Sequence, residues 1–346
     1  MTYRVRVLLL SLAIGVLALT WLVGMTGRGR RSAPPGAGIP LVAPGALPAV
    51  TTVEIDGAEA IRLERDRVEN GRWWITLDGR ALPARGSRIE EFLQTLGEQQ
   101  TESRVAVSAA GWPQFGVDDP ILVRLFDPVG RDVAELFFGR RSDAGRGGYL
   151  RFDTGQEVYR VGDAPFFAIE RSAVYWSDLR LLPPGLTEDR VAAVRIRSDI
   201  AAINDLSRRF TYALVRGSGG EWIVDGPAGR VPAHATRARE LITAILTLEG
   251  SRFAASGSPT TDGPRDTGVD STVTDPRLTT VDRAVIEVEL FDGRRASLTI
   301  DAYGERLWIQ PSGVLAPVDG DGRPVAFEFA PWSAERVLRP VEDLVQ

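Results

Sequence analysis

The chain contains no cysteine and no lysine, and His234 is its only histidine. Its 41 basic residues are therefore all arginine. Without cysteine there is no disulfide, no thiol nucleophile and no thiolate ligand for a metal ion. Without lysine, Schiff-base chemistry and the phosphate-binding lysine of nucleotide loops are excluded. These absences remove the thiol- and lysine-dependent chemistries, and we predict no catalytic, cofactor-binding or metal-binding residues.

The body of the chain is acidic, although its amino terminus is basic. Residues 1–31 carry five arginines and no acid, so the formal net charge of −5 leaves −10 on residues 32–346. Affinity for nucleic acid depends on neutralising phosphates with a basic surface, so nucleic acid is excluded as a partner. The 346 residues, 44% of them hydrophobic, are enough for about two domains.

Residues 7–25 form an uninterrupted stretch without a charged side chain. A helix rises about 1.5 Å per residue, so this stretch crosses roughly the 30 Å hydrocarbon core of a bilayer. The alternative is a cleaved signal peptide, whose apolar core is usually shorter and ends at a small-residue site that is not evident here. We predict that residues 1–25 are an amino-terminal tail and a transmembrane anchor in contact with the lipid bilayer.

The arginines on the two sides of this stretch nearly balance, so charge alone does not set its orientation. A very short amino-terminal tail normally stays in the cytoplasm. We therefore expect a single-pass protein of the inner membrane, with its body in the periplasm or outside the cell. Residues 26–49 are rich in glycine, proline and alanine and are predicted to be a semi-stiff linker.

A short pattern of apolar and turn-forming residues occurs twice in the body. Two copies predict two similar domains, over residues 50–184 and 185–346, with the boundary at the Pro-Pro-Gly after Leu182. Residues 255–283, poor in apolar side chains, are predicted to be a mobile insertion in the second domain. The matched positions are Val50, Val53, Ile55, Trp74, Pro83, Arg88, Phe92, Leu93, Leu96 and Arg104, and Val191, Val194, Ile196, Trp222, Pro232, Arg237, Leu241, Ile242, Ile245 and Arg252.

Strand-like segments alternate with Asp-Gly and Asn-Gly turns at residues 56–57, 70–71 and 78–79. These dipeptides supply the positive φ angles of two-residue hairpin turns, so each domain is predicted to contain a mainly antiparallel sheet. Each copy also has one amphipathic helix, with Ser87 and Glu90 as a capping box in the first and Gly250 as the C-cap of the second. The predicted fold class is α+β.

Several segments have a possible site chemistry, and each has a simpler structural explanation. His234 precedes the second helix, where an acid, base or ligand role competes with a surface or capping role. Asp319–Gly322 resembles part of a calcium loop but lacks the remaining ligands, so a hairpin turn is favoured. The acidic side chains of residues 255–283 are interpreted first as a solvated loop and second as a weak cation site.

Two further candidates concern anions and sugars. The arginine- and glycine-rich segment Gly139–Gly148 has no lysine and no strand-to-helix context, so a long hairpin connection is favoured over an anion site. A carboxylate pair for glycoside hydrolysis is set by folding and not by sequence spacing. Among the tryptophans, Trp74 is predicted to lie in the core and Trp73 on the opposite, exposed face of the sheet. The others considered for a sugar-binding face are Trp112, Trp176, Trp222, Trp308 and Trp332.

The order of the motifs resembles the bacterial family catalogued as domain of unknown function 4340. The segments that carry this resemblance begin at Val50, Trp74 and Leu82 and include Gly116–Pro120, Phe138-Gly139, Gly148–Arg151, Val158–Val161 and Trp176–Arg180.

The resemblance implies an extracytoplasmic protein that accompanies the permease and the GldG-like subunit of an ABC-type transport system related to gliding-motility exporters. It implies no catalytic residues. An acidic residue that the family usually places before each helix is replaced here by Arg85 and His234. We therefore expect a non-catalytic, membrane-anchored accessory or scaffold subunit. The alternatives are a binding module for envelope polysaccharide or peptide and, more remotely, an envelope hydrolase with paired carboxylates.

Overall fold

The computed structural model describes residues 34–66, 71–143, 145–153, 155–203, 206–255, 282–303 and 306–345. The predicted anchor at residues 7–25 and most of the predicted insertion at residues 255–283 lie outside the described residues. No helix within the described residues is both long and apolar enough to cross a membrane.

The first half of the chain forms one antiparallel sheet of nine strands in the order β4-β3-β2-β1-β6-β7-β8-β9-β5. Strands β1 to β4 make the predicted meander, and Asp78 and Gly79 form the turn before β4 with φ angles of 49° and 75°. The strands are β1 (Thr52–Asp56), β2 (Ala60–Arg65), β3 (Trp73–Leu77), β4 (Arg80–Pro83), β5 (Thr101–Ala106), β6 (Ile121–Phe126), β7 (Asp132–Arg141), β8 (Gly148–Phe152) and β9 (Val158–Val161).

The second half forms a second nine-stranded sheet with the same topology, β13-β12-β11-β10-β15-β16-β17-β18-β14. Each strand takes the place of the strand nine positions earlier, which confirms the predicted duplication and the α+β class. Its strands are β10 (Val191–Ile203), β11 (Leu206–Arg216), β12 (Trp222–Gly226), β13 (Gly229–Pro232), β14 (Arg252–Phe253), β15 (Asp282–Leu290), β16 (Arg295–Tyr303), β17 (Arg306–Gly313) and β18 (Phe327–Phe329).

One long amphipathic helix packs on each sheet, as predicted. In the first of these, Ile89, Phe92, Leu93 and Leu96 are buried. Most buried apolar residues of both sheets and both long helices form one connected core. Phe115, Val117 and Val158 form a small separate cluster. The helices are α1 (Gly86–Glu98), α2 (Trp112–Phe115), α3 (Ala164–Ile169), α4 (Ala173–Trp176), α5 (Ala235–Leu246), α6 (Pro331–Val337) and α7 (Glu342–Val345).

The predicted caps of the two long helices are wrong. Helix α1 begins at Gly86 with Arg85 as N-cap, so Ser87 lies inside the first turn. Glu90 accepts hydrogen bonds from Trp73 and Arg65 instead of closing a capping box. Helix α5 ends at Leu246, too early for a Gly250 cap. Gly250 serves close packing, because a Cβ atom there would lie 2.6 Å from Cβ of Phe327.

The tryptophan assignment is also wrong, by one residue. Trp73 is only 2% exposed, whereas Trp74 is half-buried. In the first sheet Pro83 pairs with Trp74, and in the second sheet Pro232 pairs with Ile223. The counterpart of Trp222 is therefore Trp73 and not Trp74. Alternation along a strand predicted that the two tryptophans face opposite ways, but only the packed helix decides which face is inside.

The described part of the predicted linker, residues 34–49, packs on the first domain, which corrects the expectation of a spacer. It forms an arm, defined here as residues 34–41, that runs antiparallel to β5. The amide of Gly38 donates to the carbonyl of Thr101 at 2.8 Å, and the amide of Arg104 donates to the carbonyl of Pro35 at 2.8 Å. Leu41 and Val42 are buried. Proline and glycine permit this extended path without preventing its hydrogen bonds to a strand edge.

The Pro-Pro-Gly boundary at residues 183–185 has an equivalent in that predicted linker. The amide of Leu41 bonds to Gln99, and the amide of Leu181 bonds to Leu248, each just after a long helix. Residues 41–45 and 181–185 then make the same turn, with glycine φ angles of 80° and 83°. Both copies of the repeat therefore begin earlier than the predicted starts at residues 50 and 185.

Candidate functional site

The junction between the two repeats has a defined geometry, because its connecting chain is hydrogen-bonded to both sides. On the first repeat, the amide of Arg85 donates to the carbonyl of Trp176 at 2.7 Å and the amide of Asp178 donates to that of Pro83 at 2.9 Å. On the second repeat, the amide of Gly250 donates to the carbonyl of Leu179 at 2.8 Å. The connection therefore acts as a strand shared by two domains and not as a free hinge.

A loop of the second repeat also docks on the first. We call residues 314–326, between β17 and β18, the docking loop. The amide of Gly320 donates to the carbonyl of Ala81 on edge strand β4 at 2.8 Å. Nη2 of Arg80 lies 3.0 Å from Oδ2 of Asp319. The corresponding β8–β9 connection of the first repeat, residues 153–157, is shorter. The docking loop is therefore a feature of the second repeat that closes the junction.

Asp319 organises the docking loop from a buried position, with only 3% of its surface exposed. Its Oδ1 accepts the amides of Arg323 at 2.8 Å and of Asp321 at 3.1 Å. Burial acts to raise the pKa of Asp319, but these amides and the Arg80 guanidinium outweigh it, and the pKa lies below its usual range. A lowered folded-state pKa stabilises the docked loop above the unfolded-state pKa, about 3.9 for aspartate, and this stabilisation is lost as the pH falls through the folded-state value.

Replacing Asp319 by alanine is expected to release the docking loop. The change removes two amide hydrogen bonds and one ion pair from a buried site, which corresponds to about 2–3 kcal/mol of local stability. Hydrogen exchange at the amides of Gly320 and Arg323 should therefore speed up by roughly 30- to 150-fold at neutral pH. Asp321→Ala is the matched control, because the Asp321 side chain is 70% exposed in its ion pair with Arg323. Equal exchange in the two variants would contradict the anchoring role of Asp319.

A cleft of about 440 Å³ lies at the junction. Buried Leu182 and Leu315 contribute to its lining, and Arg72 and the ion pair between Asp178 and Arg180 add charge. The Arg180 guanidinium donates two hydrogen bonds to the Asp178 carboxylate, at 2.7 Å and 2.5 Å. Because Asp178 and Arg180 use their hydrogen-bonding groups on each other, the cleft is better suited to binding an apolar group beside a polar rim than to catalysing a reaction.

A tryptophan, an arginine and a carboxylate meet at the same place in each repeat. In the first, the indole N–H of Trp73 donates to Oε1 of Glu90 at 2.8 Å, and the Arg65 guanidinium lies 4.9 Å from the Trp73 ring centre. In the second, Trp222 donates to Oε1 of Glu188 at 2.9 Å. In the first repeat this cluster holds the long helix α1 against the indole. In the second repeat it holds the segment before β10 against the indole.

The carboxylate of this cluster comes from different chain positions in the two repeats. Glu90 lies in α1, and its counterpart in α5 is Arg239. Glu188 precedes β10, and its counterpart before β1 is Leu47. Nε of Arg239 in α5 lies 3.0 Å from Oε2 of Glu188. Helix α5 therefore contributes a cation to its cluster, whereas helix α1 contributes the anion Glu90.

His234 and Asp319–Gly322 occupy structural positions. His234 is the N-cap of α5 with an exposed side chain, and its amide donates to the carbonyl of Leu344 at 2.7 Å. This contact repeats the bond between Arg85 and Trp176. The Asp319–Gly322 segment is the predicted turn, held by the amide of Gly322 on the carbonyl of Asp319 at 2.9 Å. Within the described residues, no three His, Asp or Glu side chains are grouped to hold a metal ion.

Two of the three arginines of Gly139–Gly148 are engaged by acidic side chains. Arg141 lies 2.9 Å from Asp163 and 2.8 Å from Glu170. Arg140 lies 3.7 Å from Asp143. The segment joins β7 to β8 as the favoured hairpin connection. Arg140 and Arg141 are used within the protein, so the segment is a weak candidate for an anion site.

The tryptophans do not form a common face. Trp73, Trp176 and Trp222 are buried, and Trp332 is 62% exposed. Trp112 stacks on the Arg151 guanidinium at 4.4 Å from its ring centre. The exposed aromatic that the sugar-binding alternative relied on, Trp73, therefore lies in the core.

One close carboxylate pair is present on the first sheet. Glu135 lies on β7 and contacts Asp153 just after β8. Burial raises the pKa of Glu135, and the hydrogen bond and negative charge of Asp153 raise it further. Leu136 is buried, so its neighbour Glu135 belongs to the outward face of the sheet. Direct contact leaves less than the roughly 5 Å that glycoside hydrolysis requires between its two carboxyl groups.

Sequence reasoning missed the residues that build the junction. Leu179–Leu182 and the docking loop carry no chemical motif, and their partners lie far away in sequence. One available signal was the similarity of Leu-Val-Ala-Pro-Gly at residues 41–45 to Leu-Leu-Pro-Pro-Gly at residues 181–185. It indicates that the repeat starts upstream of residue 50, so that the second copy begins within the connection.

Comparison with known proteins gives one result. Searches of curated proteins and of solved structures found no match. The family described as a domain of unknown function, DUF4340, matches residues 73–272, which is more than half of the chain. That match includes β3, α1, the connection between the repeats and α5. The chain is therefore a member of the DUF4340 family.

Proposed function

We propose that this protein is a non-catalytic, membrane-anchored accessory or scaffold subunit of an ABC-type transport system, with its body outside the cytoplasm. The observation that carries the proposal is the single connected core and hydrogen-bonded junction that fix two similar domains to each other. A scaffold must hold partners at set distances, and a fixed pair of domains does this better than two domains on a hinge. The apolar stretch at residues 7–25 supplies the anchor.

The layout of the first sheet supports a spacing role. The arm lies along edge strand β5, and the second repeat docks on the opposite edge strand, β4. Nine strands separated by about 4.8 Å would place these edges at most roughly 38 Å apart, the value for a flat sheet. The anchor and the second repeat thus attach to opposite sides of the first domain. The second repeat is held well to the side of the tether, where it has room to contact a neighbouring membrane protein.

The outward faces of both sheets carry ion pairs, and at one pair of equivalent positions the charge is opposite in the two repeats. Glu54 of β1 pairs with Arg62 and Arg124, whereas its counterpart Arg195 of β10 pairs with Glu289 at 2.8 Å. Such faces are solvated and give little stability, but they offer two different charge patterns to a partner. This difference favours distinct contacts for the two repeats.

The proposal is tested by cross-linking, and the absence of lysine makes the chemistry selective. Arg131→Lys and Arg323→Lys each introduce one lysine at a side chain that is 79% or 73% exposed, one in each repeat. Treating cells with an amine-reactive cross-linker and purifying the chain in mild detergent should recover the permease and the GldG-like subunit. The unsubstituted chain is the control, since its only amine is the amino terminus. Recovery of neither subunit while the transporter stays intact would refute the proposal.

The placement of the body needs its own measurement. Alkaline phosphatase fused to the carboxy terminus is expected to be active, and a fluorescent protein that matures only in the cytoplasm is expected to be dark. The reverse pattern would refute the extracytoplasmic location.

The second candidate, an envelope polysaccharide or peptide binding module, is favoured only by the cleft at the junction. Co-sedimentation with purified envelope polymers separates it from the scaffold, which requires no such binding.

A further inference from the structure

The arm fixes where the chain leaves the first domain. Its residues follow β5 in the reverse direction, from Leu41 beside Gln99 to Pro35 beside Arg104. The Thr101 hydroxyl donates to the carbonyl of Gly36 at 2.5 Å and accepts the amide of Ile39 at 3.0 Å. Going toward the amino terminus, the chain therefore leaves the domain at the end of the sheet where β5 finishes.

The strand pairings extend this end across the sheet. Ala106 is opposite Val158, the first residue of β9 after the β8–β9 turn. Asp132, the first residue of β7, is opposite Phe126, the last residue of β6. The β6–β7 turn and the β8–β9 turn therefore lie at the same end as the exit of the arm, and we call this the exit end.

Part of the exit end, the segment that follows β5, presents apolar surface without charge. Residues 105–117 contain no charged side chain. Val107 is 65% exposed and Val105 is 37% exposed, and Ala109 and Ala110 beside them are exposed. Val129, in the β6–β7 turn of the same end, is 72% exposed. Exposed apolar side chains grouped at one end of a domain indicate an interaction surface.

The length of the tether decides what lies opposite this surface. Only residues 26–33 separate the apolar stretch from the arm, and a chain of that length spans at most about 30 Å when fully extended. The exit end therefore stays close to the bilayer surface, where a weak apolar contact is strengthened by the high effective concentration that a short tether gives.

We propose that the exit end of the first domain rests on the lipid surface of the membrane, with Val107 and Val129 in the interfacial layer. This inference rests on the membrane anchor proposed above and assigns the orientation of the body. In this orientation one end of the strands faces the bilayer, and the β1–β2 turn, residues 57–59, lies at the opposite end, away from the membrane.

A depth measurement on the full chain tests this orientation. Because the chain has no cysteine, Val107→Cys, Val129→Cys and Ala58→Cys each carry one fluorescent label. Ala58 is an exposed residue at the opposite end of the same sheet and is the matched control. Each variant is reconstituted into vesicles of phosphatidylethanolamine and phosphatidylglycerol that contain a lipid-bound quencher. Labels at positions 107 and 129 should be quenched several-fold more strongly than the label at position 58.

The outcomes distinguish this proposal from the proposed function. A chain that floats with the vesicles but shows equal quenching at the three positions overturns the lipid contact and leaves the anchor standing. A chain that does not float with the vesicles overturns the anchor and this contact together. Equal quenching combined with a cross-link from position 107 to the permease in cells would assign the surface to a protein partner and overturn the lipid contact.

Discussion

Replacing Trp176 by alanine is expected to lower the free energy of unfolding by about 3–5 kcal/mol, the usual cost of deleting a large buried aromatic side chain. Trp176 is fully buried and packs edge-on against Phe92 at 5.5 Å between ring centres. Its carbonyl accepts the amide of Arg85, so the residue joins α1 to the start of the connection between the repeats. Loss of the ring should therefore weaken both the core and the junction.

Urea denaturation followed by far-ultraviolet circular dichroism measures this effect without relying on tryptophan emission. Trp332→Ala is the matched control, because Trp332 is 62% exposed and its removal should change stability by less than about 0.5 kcal/mol. Equal midpoints for the two variants would contradict the structural role of Trp176. A further variant, Trp176→Phe, should cost less than alanine, because it keeps most of the packing and removes an indole N–H that has no hydrogen-bond partner within the described residues.

Replacing Glu188 by leucine is expected to cost about 2–3 kcal/mol, because three donors lose their common acceptor. Glu188 accepts from Trp222 at 2.9 Å, from Arg216 at 2.9 Å and from Arg239 at 3.0 Å. Burial acts to raise the pKa of Glu188, but these three donors outweigh it and the pKa lies below its usual range. The carboxylate is therefore charged at neutral pH and is needed in that form.

The first repeat indicates how this loss is repaired. There a leucine, Leu47, occupies the position of Glu188, and a glutamate, Glu90, occupies the position of Arg239. The double substitution Glu188→Leu and Arg239→Glu copies that arrangement into the second repeat. It should regain most of the stability lost by Glu188→Leu alone, measured by the same denaturation. If the double variant is as unstable as the two single variants combined, the two clusters are not equivalent.

Repetition and turn chemistry were readable from the sequence because they depend on short-range patterns. The Asp-Gly pair at residues 78–79 has one favourable use, a tight hairpin turn, and the structure has that turn. The spacing of Ile89, Phe92, Leu93 and Leu96 has one favourable face, and all four are buried. The two-domain α+β character follows from these local features, since each copy repeats them in the same order.

Assignments that depended on a choice between equal local alternatives failed. Trp73 and Trp74 alternate along a strand whichever one is buried, and the helix that packs on the sheet makes the choice. Residues 34–41 have the composition of a linker, but a free edge at β5 binds them by backbone hydrogen bonds that composition does not encode. Glu90 has the spacing of a capping residue, but its carboxylate accepts a hydrogen bond from the neighbouring Trp73 indole instead.

The sequence by itself determined the absence of cysteine and lysine chemistry, the duplication, and the long amphipathic helix of each copy. These are properties of residue identity and of periodicity over a few turns. The tertiary structure alone decided that the repeats share one core, that Asp319 docks the second domain on Arg80, and that the arm leaves the first domain at the end with exposed Val107 and Val129. Those contacts join residues far apart in the chain, and their free energy comes from burial and desolvation that exist only once both partners are folded.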